Sequence, residues 1–152
     1  MDDPYRLTRF VTAQNNWDMY ENALEELKQG RKVDHWMWFV FPQIAGLGHS
    51  TASRTYAISS LEEAQAYLQH PVLGPRLREC AQTLLAVRHR TATQIFGSID
   101  AIKLRSSMTL FAAANPTDGI YREILNKYFD GAPDNLTTDR LATLTGSVQE
   151  PT

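Results

Sequence analysis

"HWMWFVFPQIAGLGHS", His35 to Ser50, decides the fold. Read as a strand, its alternation sends His35, Met37, Phe39 and Phe41 to one face and Trp36, Trp38 and Val40 to the other, which suits only a strand buried on both sides. Read as a helix, it is a hydrophobic plug through the middle of a bundle, capped by Asp34 and broken before Pro42, with His35 and Trp38 sharing a face. The flanking sequence favours the helix.

Upstream, Tyr20, Ala23, Leu24 and Leu27 recur at helical spacing and Gly30 stops the turn, predicting a helix over about residues 16–29. Downstream, Ser60 with Glu63 reads as a capping box before Ala64, Tyr67 and Leu68, and His70-Pro71 ends that helix. Gly74-Pro75 opens the next, with Leu77, Ala81, Leu84 and Leu85 facing inward. Asp100 is placed to cap a helix whose Leu104, Met108, Phe111 and Ala112 form an apolar stripe, closed by Asn115-Pro116. Asn115 then caps a helix carrying Ile120, Ile124 and Tyr128, which Asp130-Gly131 ends, and a short last helix runs near 138–144. "TYAIS", Thr55 to Ser59, is the best isolated strand candidate, with the opening segment as its one available partner. The expected architecture is an all-α, compact single-domain helical bundle over residues 1–152, with room for one minor pair of short strands and a polar tail over 145–152.

Composition narrows the function classes. With 43% hydrophobic residues in 152, the chain can bury a core without disulfides or a structural metal. Cys80 is the single cysteine, as in a reducing compartment. Fifteen basic and 17 acidic residues give a net charge of −2 with no basic block, so nucleic acid is not an expected partner. The apolar run from Trp36 to Phe41 is far shorter than the roughly 20 residues a membrane helix needs, and the opening MDDPYRLTRF is acidic; a cytoplasmic protein is expected.

Two stretches carry candidate binding chemistry. Beside the tryptophans, Gln43, Gly46, Gly48, His49, Ser50, Ser53 and Tyr56 have the composition of a pocket lip, with glycines that let backbone amides approach a ligand. In "DAIKLRSSMTLF", Asp100, Lys103, Ser106 and Ser107 take the helix side opposite the apolar stripe, with Arg105 at its edge as a phosphate or carboxylate clamp. Each stretch has a plainer reading too: a glycine turn for the first, a solvated helix face for the second. The histidines and Cys80 fall at no metal-ligand spacing, so no metal is expected, and no nucleophile or general base can be derived.

"RFVTAQ", "GRKVDHWMWFVFPQIAGLGHS", "YAIS", "HPVLGPRLREC", "IFGSIDAIKLRSSMTLF" and "LNKYFDGAPDN", in this order from about Leu7 to Leu144, resemble the bacterial domain family of unknown function numbered eighteen-ten, whose members often carry the label "calpastatin". The resemblance implies a small, mostly helical domain and brings no catalytic residue, substrate or cofactor. An inhibitor of that labelled kind is disordered until bound, whereas this composition is that of a chain with its own core. The residues themselves point to a small-molecule site for an anionic, nucleotide-like metabolite, built from His35, Trp36, Trp38, Gln43, Gly46, Gly48, Ser50, Tyr56, Lys103, Arg105, Ser106 and Ser107. The alternative is a protein-interaction or dimerisation module using the tryptophan-rich segment, and a homo-oligomer stays open.

Overall fold

A computed structural model describes residues 3–144; the polar tail expected over 145–152 lies outside the described residues. The chain is all-α. Its helices are α1 (Thr8–Asn15), α2 (Met19–Gln29), α3 (Met37–Val40), α4 (Thr51–Thr55), α5 (Leu61–Gln69), α6 (Leu73–Ala86), α7 (Ala92–Ala114), α8 (Ile120–Phe129) and α9 (Asn135–Leu144). The plug 35–41 is helical, as its neighbours predict, but only for the single turn of α3, and no side chain caps it. Asp34 is therefore not its cap. The minor strand pair reduces to one parallel bridge between Ile44 and Ile58, closed by Ala45 N–H to the Ile58 carbonyl and Ile58 N–H to the Gln43 carbonyl, both at 2.8 Å.

Several boundaries differ from the sequence reading for identifiable reasons. α1 was not foreseen, because its buried face includes a glutamine: Gln14 is 1% exposed and donates to the Phe39 carbonyl at 2.7 Å. The helix expected from residue 16 starts at Met19, since Trp17 and Asp18 both adopt left-handed backbone and separate α1 from α2. Ser60 does cap α5, accepting from Glu63 N–H, but the Glu63 carboxylate reaches past it to Ser59 N–H and Ser59 Oγ. The true capping box is Thr91 with Gln94 at the start of α7. Asp100 lies inside α7 and is no cap. Asn115 closes α7 and does not open α8, where Asp118 accepts from Ile120 N–H instead.

Packing explains the rest of the architecture. α7 runs through the middle, against α5, α8 and α9, while α6 packs on α2, α5 and α8, and α1 lies against α2 and α3. Phe10 meets Tyr67 edge-on at 5.1 Å, Tyr67 meets Phe111 at 5.3 Å, and Phe111 meets Tyr121 at 6.0 Å, so one aromatic chain links α1, α5, α7 and α8. Such ring pairs contribute about 0.5–1.5 kcal/mol each beyond the area they bury. The α5–α6 corner needs Gly74, because a Cβ there would stand 2.1 Å from the Leu68 carbonyl oxygen. Arg9 ties α1 to the segment before α5: its guanidinium donates to the Tyr5, Arg6, Thr55 and Ala57 carbonyls and pairs with buried Glu63 at 3.0 Å. Among the described residues, no helix is long and apolar enough to cross a membrane.

Candidate functional site

α3 is one turn long, and its two tryptophans go to different places. Trp36 is 0% exposed, with its ring against Phe41 and Phe96. Its Nε1–H donates to Glu26 Oε1 at 2.8 Å, and the same oxygen accepts Val33 N–H at 2.7 Å and Asp34 N–H at 3.0 Å. One carboxylate oxygen therefore fixes the backbone leading into the plug. Burial pushes the Glu26 pKa up, but the Val33 and Asp34 amides and the Trp36 indole outweigh it and hold the carboxyl below its ordinary value.

Trp38 is half-buried, yet its Nε1 is shut off from solvent and donates to no acceptor. Native structures rarely leave such a donor unsatisfied without a water, an ion or a function to account for it. The side chain lines a pit with Gln43, Ile44, Gly46, Gly48, Ser53 and Tyr56; its volume of about 10 Å³ has room for roughly one water-sized group. Two glycines in the lining leave room for close neighbours. A Cβ on Gly48 would fall 2.5 Å from Ser53 Oγ, and a Cβ on Gly46, whose φ is +99°, would fall 2.7 Å from Arg140 Nε. Ser50 stands behind the pit: its Oγ caps α4 by accepting Ser53 N–H at 3.1 Å and donates to Ser53 Oγ at 2.9 Å.

Trp38 also borders a larger groove of about 340 Å³, shared with Lys32, His35, Met37 and the Phe96–Asp100 stretch of α7. Gly97, at φ +82°, breaks α7 there. One turn further, Asp100 sits between two cations, Lys32 Nζ at 2.9 Å and Lys103 Nζ at 3.3 Å. Two ammonium groups flank one carboxylate, and Lys103 Nζ stands 4.8 Å from the Trp38 ring centroid. Among the described residues, no group of three or more His, Cys, Asp or Glu side chains is placed to hold a metal ion.

The twelve residues picked out from sequence divide accordingly. Trp38, Gln43, Gly46, Gly48 and Tyr56 meet at the pit, His35 borders the groove, Lys103 covers the indole and Ser50 supports the rear wall. Trp36, Arg105, Ser106 and Ser107 lie elsewhere. Trp36 belongs to the core. Arg105 donates to the Ala132 carbonyl at 2.9 Å and so holds the α8–α9 turn, and Ser106 pairs with Thr137 of α9 at 2.8 Å. Ser107 is 0% exposed, with its Oγ unpartnered. The hydroxyl side of α7 is thus closed because α7 is central. Sequence reasoning missed Lys32 and Arg140 as neighbours of the site. Arg140 gives no local signal, since its bond to the Ala45 carbonyl spans 95 positions.

The fold has a counterpart among solved structures. The conserved hypothetical protein Rv1873 from Mycobacterium tuberculosis is 52% identical, with a TM-score of 0.89, over 92% of this chain and 99% of that one. No curated protein matches the chain. The family model described as "Protein of unknown function (DUF1810)" matches residues 4–141. With nearly its whole length matched, the chain belongs to the DUF1810 family, whose function is unknown.

Proposed function

We propose that this domain binds a small anionic ligand with an aromatic part, held at Trp38 between the pit and the groove. The observation that supports this best is the Trp38 Nε1–H, a solvent-shielded donor without an acceptor in a side chain that lines a polar pit. The Lys103 ammonium over the same indole favours an anion, and the exposed part of the ring favours stacking. The pit itself is too small for a nucleotide, so the body of the ligand lies in the groove and one polar atom enters the pit. The inhibitor label plays no part in this reading, because these helices share a continuous core, whereas such segments order only on their target.

The test is a thermal-shift panel of nucleotides, ADP-ribose, sugar phosphates and coenzymes, with tryptophan emission followed in parallel. Saturation at about 100 times the dissociation constant stabilises the fold by roughly 2.7 kcal/mol. At this chain length each kcal/mol moves the midpoint by roughly 2–4 °C. Lys103→Ala is expected to remove most of the shift while leaving the unliganded midpoint nearly unchanged, since the lysine is partly exposed and supplies charge more than volume. A panel without any shift would sink the reading.

A second reading has its own observation. Ile99 and Ile102, at i and i+3 on α7 beside the groove, are 70% and 62% exposed. They fit a protein contact or a homodimer face. Ile99→Glu with Ile102→Glu, compared with wild type by light scattering, tests it: an unchanged monomer mass in both would dismiss the homodimer.

A further inference from the structure

We infer that Arg140 of α9 is the charge partner of the Trp38 pit and that the group bound there is a phosphate; the inference rests on the ligand reading above. Arg140 is anchored at one end, where its Nε donates to the Ala45 carbonyl at 3.1 Å. The guanidinium then lies flat on Gly46, since a Cβ built on that glycine would be 2.7 Å from Nε, 2.9 Å from Cζ and 3.0 Å from Nη2. Among the described residues no carboxylate pairs with it, and its Nη groups donate to no acceptor. A half-buried guanidinium, partly stripped of water, oriented by one bond and left without an anion, is poised to receive one.

The pit beside it has complementary chemistry. The Trp38 indole can only donate, Gln43, Ser53 and Tyr56 can each donate, and no carboxylate lines the pit. A cluster of donors with room for about one water-sized atom accepts a single oxygen of a larger oxyanion. The arginine fork favours two more oxygens at once. A carboxylate has two oxygens and must leave either the indole or half of the fork unanswered. A phosphate monoester has three terminal oxygens and satisfies both. Gly46 is then a specificity position, because its missing side chain is what lets the guanidinium lie against the backbone of a residue that lines the pit.

The test uses the purified full chain, with AMP, adenosine and benzoate as probes, followed by tryptophan emission and calorimetry. Wild type is expected to bind AMP at least about tenfold more tightly than adenosine or benzoate, a difference of about 1.4 kcal/mol. Arg140→Ala should remove that preference while leaving adenosine unchanged. Arg140→Lys, which keeps the charge without the fork, should restore part of it. Gly46→Ala should reproduce the loss by displacing the guanidinium. Circular dichroism and the unliganded midpoint show which variants are folded, and Arg140→Lys preserves the test if Arg140→Ala is not. Binding of AMP with wild-type affinity by a folded Arg140→Ala overturns the role of Arg140 and leaves the pit standing. Tighter binding of benzoate than of AMP overturns the phosphate assignment. Failure of all three probes to bind wild type overturns the site and this inference together.

Discussion

Trp36 and Trp38 are two residues apart in one short helical turn, and their surroundings separate a core from a site. At Trp36 the indole N–H has an acceptor: it and two backbone amides converge on Glu26 Oε1, and Phe41 and Phe96 pack against the ring. Around Trp38 the donor is unanswered, the neighbours are glycines and short polar side chains, and a cation stands over the ring. Trp36 is fully buried and Trp38 only partly so, yet both indole nitrogens are shut off from solvent. Satisfaction of the indole N–H separates them further, and an unsatisfied buried donor costs about 1–3 kcal/mol unless something outside the protein meets it.

The comparison breaks first at Trp36. Trp36→Ala is expected to destabilise the fold by about 3–5 kcal/mol, as transfer and cavity terms add for a ring with no exposure. Urea unfolding measures it. A loss below about 1 kcal/mol would remove Trp36 from the core and with it the contrast between the two tryptophans.

Glu26 is the next largest effect. Glu26→Ala leaves three donors without their common acceptor and is expected to cost about 1–3 kcal/mol. The pH dependence sharpens the attribution. A carboxyl held below its ordinary pKa contributes stability that is complete above the unfolded value of about 4.3 and fades as pH falls through the lower folded value. Wild type should therefore lose stability on acidification in that range. Glu26→Gln can keep one oxygen in place for all three donors, and should show less of that loss. Parallel acid profiles for the two proteins would show that Glu26 is not the titrating support.

How much of this was legible depends on where each residue's partner lies. The helices α5, α6 and α8 were readable because their apolar stripes and stops are local, and the pocket lip was readable because Gln43, Gly46, Gly48 and Tyr56 adjoin the tryptophans in sequence. α1 was hidden by Gln14, a polar side chain on the buried face whose acceptor is 25 positions away. The Ser106–Ser107 pair was read as ligand-facing because exposed helices rarely prefer hydroxyls. Close packing gives the same hydroxyl signal, and at Ser106 α9 supplies it through Thr137. That placement makes a smaller prediction: Ser107→Ala removes a buried hydroxyl without a partner, so it should be neutral or stabilising by up to about 1 kcal/mol, whereas Ser106→Ala, which orphans Thr137, should destabilise by about 1 kcal/mol. Equal losses at both serines would show that Ser107 has an acceptor after all.

The smallest expected change in stability falls on the residue with the largest expected change in binding. Trp38→Phe keeps an aromatic ring under the Lys103 ammonium and deletes the unanswered N–H, so two effects oppose: some packing area is lost, and an unsatisfied donor is removed. Their sum should lie within about 1 kcal/mol of zero, shifting the melting midpoint by no more than roughly 4 °C. Ligand binding responds differently, because phenylalanine can stack but cannot donate. A phosphate-bearing ligand that stabilises wild type should therefore lose most of its thermal shift in Trp38→Phe, while a ligand held by stacking alone should keep it. An unliganded midpoint that falls by as much as it does in Trp36→Ala would show that Trp38 is core like its neighbour, and the N–H would then be an unsatisfied group of the interior with no bearing on a site.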